Sequence, residues 1–570
     1  MRSGCFKLNW MSGSQPIESA VEQILKNVDL ASIQDERARE CIRLLLNLVE
    51  SLNTELRKAQ AEIRSLREQL KNRRGGSGKP GPSPEVSSGA RSSEKERAEP
   101  REPGKNTKRS KLDRIPIDRE EVLRVNPAEL PSDAEFKGYD EVVVQELRIH
   151  TGNVKFRKEK YYAASTNKTY LAPLPAGYSG EFGPNVKSLC LLYSHLCNMT
   201  EPKIADLPGN LGILISAGYI SDLLTGAQEQ FGAEKQAIVE AGLGSSAWQH
   251  MDDTGTRVDG ENQHCQVICN PLYTAYFTTA RKDRMTILDV LRNGRERIFR
   301  LNTEAWELLR GWEVSERVLL QLGQLPFDQD WNQAELNRRL AEQIPNLGQA
   351  VRSRVLEAAA LAAYHAEPGH VRLLVCDDAK QFKLVPEELA LCWIHEGRHY
   401  QSLEPCVPQH GQWLTEFRKR YWDYYKALRA YQQAPTPEGA AQLRDQFDEL
   451  FSTVTGYAAL DQRIARTKDH KANLLLVLDH PEIPLHNNPA ELEVRRRVRK
   501  RVVSYGPRSA VGAKAWDTME TLLGTAKKLG VNFFHYIRDR VSGAKTMPAL
   551  AELIAQRAET QNLSPSWRGV

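Results

Sequence analysis

Apolar residues at Ile42, Leu45, Val49, Leu52, Leu56, Ala59, Ile63, Leu66 and Leu70 recur at alternating spacings of three and four, with Arg and Glu on the flanks and no proline between them. This spacing predicts one long helix with a single apolar seam. Ile42, Val49 and Ile63 take the a positions, and Leu45, Leu52 and Leu66 take d. β-Branched residues at a with leucine at d favour a parallel two-stranded coiled coil, so a homodimer through this seam is expected, Leu56 included. One amphipathic helix lying on its own chain carries the same letters. The pattern then stops: residues 72–113 are rich in Gly, Ser, Pro, Lys and Glu and poor in apolar side chains, which predicts a disordered linker.

Downstream the period changes. Runs 142–149 and 154–163 read as strands joined at Thr151-Gly152-Asn153; the stretch 184–243 reads as short helices, 186–199 and 211–224, with a break around 202–209. Two helices across a sharp turn fit a helix-turn-helix with Ser216 and Tyr219 facing a DNA groove, and a plain helical packing unit fits equally. Alternation returns at 248–258, 262–269 and 273–280 and predicts three antiparallel strands. Residues 371–376, Val-Arg-Leu-Leu-Val-Cys, form the apolar run of a parallel strand buried on both faces. That order is the order of a ribonuclease H-like sheet, an analogy of fold alone.

A chain of 570 residues is too long for one core. The expected fold class is an α/β ribonuclease H-like core with helical insertions, preceded by a coiled coil and by small β and helical domains, largely α in total. The expected domains are 1–71 (N-terminal helix and coiled coil), 72–113 (basic linker), 114–178 (small β-rich unit), 179–245 (helical unit), 246–545 (core, with insertions at about 286–368 and 405–471) and 546–570 (tail). Helices within the first insertion are expected at 287–309 and 350–365.

Three acidic clusters punctuate the expected core: Asp252-Asp253 in the first strand, Asp377-Asp378 at the carboxyl end of the parallel strand, and Glu491 after Asn487-Asn488-Pro489-Ala490. Ligands of open α/β sheets sit beyond the carboxyl ends of strands. Carboxylates converging there supply hard oxygen ligands to a pair of divalent cations, the arrangement that in-line displacement at phosphorus uses. Neighbouring strand residues point to opposite faces, so one member of each aspartate pair should reach such a site. Each cluster taken alone also fits a solvated loop.

The sequence around these acids resembles the insertion-sequence sixty-six family of bacterial DDE transposases. Met251-Asp252-Asp253-Thr254 is similar to that family's Ala-Asp-Glu-Thr, and Asp377-Asp378-Ala379 to its Ala-Asp-Ala. Cys392-Trp393-Ile394-His395 with Arg398 is similar to its Cys-Trp-Ala-His-x-x-Arg, and Asn487-Asn488-Pro489-Ala490-Glu491 to its Asn-Asn-x-x-Glu. By this resemblance Asp252, Asp378 and Glu491 would be the catalytic and metal-binding triad, holding two Mg²⁺ (or Mn²⁺) ions. The implied activity is metal-dependent cleavage at transposon ends and transfer of the 3′ hydroxyl into target DNA, without a covalent protein intermediate. The implied partners are transposon-end DNA, target DNA and accessory proteins of the same element. Relatives often carry zinc-binding cysteine pairs near residues 136–175; this chain has no cysteine between Cys41 and Cys190, so no zinc is predicted. An inactive DNA-binding derivative and a nuclease without transposition are the alternatives.

The formal net charge is +5, and residues 72–113, with 11 Lys/Arg against 6 Asp/Glu, account for all of it, so contact with DNA must come from local patches. One candidate is Arg495, Arg496, Arg497, Arg499, Lys500 and Arg501, beyond Glu491 on a helix expected to be capped by Asn488. Arg495, one turn from Glu491, can also simply pair with it. A second is Arg418, Lys419 and Arg420, interleaved with Trp413, Phe417, Tyr421, Trp422, Tyr424 and Tyr425 in a pattern that suits stacking on unpaired bases or, equally, an aromatic core with a solvated basic face. Cys392, His395 and His399 share one helix face and are ligand types that zinc accepts, with no completing ligand evident. The nine cysteines show no disulfide spacing, and no signal peptide or span of about 20 apolar residues is present; a reduced, cytoplasmic protein without membrane association is expected. Residues 1–10 carry no pattern, which leaves Met11 as an alternative start.

Overall fold

The computed structural model describes residues 32–74, 115–131, 133–175, 177–178, 180–561 and 563. The chain there is a mixed α/β protein with many helices around a central mixed sheet. In chain order, β1 (Lys160–Ala163) and β2 (Lys168–Leu171) make a separate hairpin; β3 (Trp248–Val258), β4 (Glu261–Cys269) and β5 (Thr274–Thr279) follow. Then come β6 (Phe299–Arg300) and β7 (Asp330–Trp331), paired with each other, and β8 (Leu373–Cys376) and β9 (Glu388–Leu391). The five-stranded sheet has the order β5-β4-β3-β8-β9: antiparallel from β5 to β3, parallel from β3 through β8 to β9.

All four residues of β8 are buried, and they alternate between two cores. Leu374 and Cys376 join a cluster with Phe231, Met251, Ile268, Leu361 and Leu522, whereas Leu373 and Val375 join Trp248, Trp393, Tyr421 and Phe447. This two-sided burial is why the strand reads as a continuous apolar run. The first core is closed by helices Ala217–Gly244, Gln349–His365, Ala510–Lys528 and Leu550–Gln561, and the second by helices Trp393–Gln401, Pro408–Gln433 and Pro437–Leu450.

The free edge at β5 is sealed by side chains of Ala510–Lys528. Thr525 and Thr521 accept the N–H groups of Thr274 and Tyr276, and Asp517 accepts that of Thr278 at 2.6 Å. A helix repeats its face every four residues, about 6 Å along its axis, and a strand every two, nearly 7 Å, so side chains four apart can serve alternate N–H groups. A sheet edge needs such cover to avoid pairing with other chains. Asp517 also holds Arg497 at 2.8 Å.

Several expectations change. Residues 142–159 form no strand; Val142, Val144 and Leu147 are exposed, and the hairpin turns instead at 164–167. The expected break at 202–209 lies inside helix Glu201–Asn210, whose Pro202 sits in the first turn, where its missing N–H costs nothing. The helix expected at 287–309 is two, Arg284–Leu291 and Thr303–Gly311, separated by β6. The expected tail contains helix Leu550–Gln561, which buries Leu550 and Ile554 in the first core. The linker expected at 72–113 lies outside the described residues after Arg74. Among the described residues no helix is long and apolar enough to cross a membrane.

The N-terminal helix, Glu36–Arg74, has two faces. Leu46, with Ile42 and Val49, packs on Val407, Cys406 and Trp413. Buried Glu50 accepts the N–H groups of Cys406 and Val407 and bonds His410, capping the start of helix Pro408–Gln433. Burial opposes its charge, but the His410 bond and these N–H groups hold its carboxyl below the usual range. The other face exposes Leu45, Leu48, Leu52, Leu56, Ile63, Leu66 and Leu70. The single-chain reading thus holds for the a residues Ile42 and Val49 near the start of the seam, whereas the d residues Leu45, Leu52 and Leu66 and the later a residue Ile63 are exposed.

The edge seal sets a graded test. Asp517→Ala leaves Arg497 charged and buried and should cost about 3–5 kcal/mol, whereas Thr521→Val removes one neutral bond and should cost about 1 kcal/mol. Unfolding midpoints that fall equally in both variants would refute the seal as described.

Candidate active site

The parallel register of β3 on β8 pairs His250 with Val375. Carried two residues on, it sets Asp252 level with Asp377 and on the same face, because side chains of strand neighbours in register point alike. The electrostatics agree. Burial first, and then the neighbouring Asp377 and Glu491 carboxylates, push the Asp252 carboxyl up to about 7, against the opposing effects of the Asp253 N–H and His395. Asp252 therefore has Asp377 and Glu491 within electrostatic reach.

Their neighbours point elsewhere. Asp253 is held by Gln381 at 2.9 Å and Lys282 at 3.3 Å. Asp378, chosen by family resemblance, meets Lys383 at 2.6 Å, His470 at 3.5 Å and Arg466 at 3.9 Å. Within the second pair Asp377 is the acid that Asp252 feels, and the alternation that follows β8 turns Asp378 toward a rim of Lys383, Arg466 and His470. His470 and Arg466 belong to the second helical insertion, which is why sequence proximity did not reveal that rim.

Glu491 lies in the first turn of helix Asn488–Ser504 and is buried. Arg398 binds it at 2.9 Å, Arg495 at 3.5 Å, and His395 faces its other oxygen at 3.7 Å. The pairing of Arg495 with Glu491 is as expected; Arg398 enters the site as a partner of the glutamate that sequence reasoning had assigned no contact. Helix Trp393–Gln401, which carries His395 and Arg398, is anchored by Trp393: its indole donates to the Leu474 carbonyl at 2.9 Å, and its own carbonyl accepts the Tyr421 hydroxyl at 2.6 Å.

Asn487, not Asn488, occupies the N-cap, and its side chain makes no capping bond. Fully buried, it reaches across to β3 instead: its amide donates to the Met251 carbonyl at 2.8 Å, its carbonyl oxygen meets His250 at 3.1 Å, and its backbone N–H donates to Cys392 Sγ at 3.2 Å. One residue thereby locks the Glu491 helix, β3 and the start of helix Trp393–Gln401 together.

The basic helix is not one DNA-facing surface. Arg497 and Lys500 are buried against Asp517 and Glu520, and Arg496 pairs with Glu493. At 100° per residue, six near-consecutive cations cannot share a side; positions 497 and 500 turn inward, while Arg495 and Arg499 are exposed and Arg501 is half-buried. The base-stacking expectation fails likewise: Phe417, Tyr421, Tyr424 and Tyr425 are buried in the second core. Lys419 and Arg420 are exposed and Arg418 half-buried, the solvated basic face of that helix. Of the proposed groove readers, Ser216 caps helix Ala217–Gly244 through the Tyr219 N–H at 3.1 Å, and Tyr219 packs on Phe182.

The mixed sheet, with half-buried Asp252 and Asp377 and buried Glu491 near the carboxyl end of the parallel strand, defines an α/β protein with a candidate site of oxygen donors at that end. Residues 350–515, which include Asp377, Asp378, Cys392, His395 and Glu491 but not Asp252, match the family model described as Transposase IS66 family. The chain is also 34% identical over 334 residues to the uncharacterized protein y4jO of Sinorhizobium fredii (strain NBRC 101917 / NGR234), a match covering 56% of this chain and 100% of that protein. No solved structure matches. The chain belongs to the IS66 transposase family.

The Asn487 lock predicts that Asn487→Ala costs about 1–3 kcal/mol, because two buried partners on β3 lose their bonds. The Glu491 helix should loosen before the rest. Hydrogen exchange at residues 488–495 should rise well before exchange in β4; equal change in both would count against the lock.

Proposed function

We propose that this chain is a DNA transposase that cuts at transposon ends in a Mg²⁺-dependent reaction and transfers the resulting 3′ hydroxyl into target DNA, on a ribonuclease H-like core formed by the five-stranded sheet. The observation that supports the reading is that Asp252 on β3 lies within electrostatic reach of Asp377 at the end of β8 and of Glu491 on a distant helix, its carboxyl raised first by burial and then by those acids. Half-buried and buried carboxylates that repel one another are a donor set that fits hard divalent cations. Asp252, Asp377 and Glu491 would hold the ions, Mg²⁺ or Mn²⁺, two per site. When bound, such ions supply an activated water or hydroxyl nucleophile and stabilise the departing oxygen.

The chain's own groups do the rest. Arg398 fixes one oxygen of Glu491 and so orients the other. Lys383, Arg466 and His470, gathered around Asp378, are placed to take the phosphates of the strand beside the scissile bond, and exposed Arg495 and Arg499 extend that surface. The buried Trp393 and Tyr421 behind them hold this wall in place. Transposon-end DNA and target DNA are the partners, with accessory proteins of the same element. The open seam of the N-terminal helix pairs with that of a second copy, so two ends are held by one dimer.

Two tests follow. In a strand-transfer assay with Mg²⁺, Asp377→Asn should abolish product, whereas Asp378→Asn, beside the site, should reduce it by roughly 10–100-fold. Full activity of Asp377→Asn would sink the site as described; equal abolition in both would return Asp378 to the triad. For the dimer, Leu52→Glu with Leu66→Glu should convert it to a monomer in sedimentation without lowering the unfolding midpoint, since both side chains are exposed in the single chain. An unchanged sedimentation coefficient would exclude the seam as the interface.

A further inference from the structure

Cys392, His395 and Glu491 each turn one ligand atom into the same small volume: a sulfur, an imidazole nitrogen and a carboxylate oxygen lie within 4.8 Å of one another. Cys392 and His395 stand one turn apart at the start of helix Trp393–Gln401, and Glu491 is in the first turn of helix Asn488–Ser504. The pattern along the chain had offered His399 as the third member. His399 is exposed and faces Arg463 and Arg466 instead. The completing ligand comes from another helix.

Two features favour a cation here over a packing contact. Cys392 Sγ accepts the Asn487 N–H at 3.2 Å, and Cys392 is the N-cap residue of its helix, whose positive dipole end favours an anionic ligand, although the sulfur makes no capping bond. On the other side, Arg398 binds Glu491 Oε2 at 2.9 Å, while Oε1 faces His395 Nδ1 at 3.7 Å. An acid whose one oxygen is steadied by an arginine is in the usual setting of a metal ligand. The neighbours that His395 has on this side are the other two members of the set, Cys392 and Glu491. Ligand–metal distances of about 2.0–2.3 Å require these atoms to close by only about an ångström.

We infer that Cys392, His395 and Glu491 bind a thiolate-accepting divalent cation of the zinc type, at a site that shares Glu491 with the Mg²⁺ site proposed above. The donor set selects the ion: sulfur and imidazole suit Zn²⁺ and its relatives, whereas Mg²⁺ takes oxygen and water. Binding takes the sulfur as thiolate and releases the thiol proton to solvent. An ion held here draws Glu491 toward Cys392 and away from Asp252, so Zn²⁺ occupancy turns the phosphoryl-transfer site off. That consequence alone rests on the proposed function; the binding site does not.

Titration of the purified full-length protein with Co²⁺, followed by sulfur-to-cobalt charge-transfer absorption in the near ultraviolet, tests the site without any DNA reaction. The wild type should show the band, and Zn²⁺ should abolish it. Cys392→Ser should lose it, and His395→Gln and Glu491→Gln should weaken Co²⁺ binding by roughly 10–100-fold. The chain's other cysteines remain in all three variants and control for binding elsewhere, and circular dichroism checks that each is folded. Absence of the band in the wild type, or a band of unchanged affinity in folded Cys392→Ser and His395→Gln, overturns the inference. Zn²⁺ inhibition of strand transfer at the concentration that displaces Co²⁺ supports the sharing of Glu491; uninhibited transfer with the band present overturns the sharing.

Discussion

A single buried amide carries the geometry of this molecule's acidic site. Asn487 spends its side chain on β3 rather than on capping its own helix, and its N–H on the Cys392 sulfur. A helix N-cap normally satisfies the orphan N–H groups behind it. Here that role is given up so that three elements, far apart in the chain, meet at one point. Glu491 is one turn beyond, and its own N–H donates to the Asn487 carbonyl at 3.1 Å, so the position of the acid follows from the position of the amide. Any slip of the helix along β3 would break bonds whose partners are buried, and buried unpaired amides are costly.

Charge is then sorted by this frame. Acids lie on the Asp252 side, where burial and then like charges raise the Asp252 carboxyl. Basic side chains ring them: Arg398 and Arg495 on Glu491, and Lys383 and Arg466 on Asp378, with His470 beside these last two. Behind the same helix a second, buried set neutralises itself, with Arg497 and Lys500 against Asp517 and Glu520. Burial lowers the Lys500 ammonium to about 8 despite Glu520, while the Glu520 carboxyl stays below its usual range because Lys500 and Arg497 outweigh its own burial. One helix thus serves two electrostatic tasks, an open one at its start and a structural one along its inner side, and Asp517 links the second to the sealed edge of the sheet.

How much of this could be read from the chain depends on the range of the interaction that decides it. The strands β3, β4 and β5 were legible because each is long enough to show its period, and β8 because two cores make it uniformly apolar. Glu388–Leu391 was not, being four residues with no repeat to detect. Val142 and Val144 have the letters of a strand but no partner among the described residues, and propensity without a pairing strand does not make one. The acids were found from composition and context; the selection of Asp377 over Asp378 needed the register of β3 on β8. The basic run after Glu491 looked like a single surface because letters in a row hide the rotation of a helix, and Arg497 and Lys500 were misplaced for that reason. The contact of Arg398 with Glu491 and the rim around Asp378 were invisible because they form only through tertiary packing.

The same frame extends to the N-terminal helix. Glu50 caps the start of helix Pro408–Gln433. From that helix the Tyr421 hydroxyl bonds Trp393, which opens the helix whose Arg398 grips Glu491. Every link in this series is a buried or half-buried hydrogen bond or ion pair on a packed helix, so it transmits position with little slack. A coiled coil formed on the exposed seam would therefore do more than raise the local concentration of a second chain. Because the docked face of the helix is held by Glu50, Leu46 and the Asn47 contacts to Gly456 and Ala458, pairing through the opposite face would set the orientation of one acidic site relative to the other. Two faces of one helix, one fastened inward by a buried carboxylate and one left apolar and open, are the physical requirement for a dimer in which two reaction centres keep a defined separation.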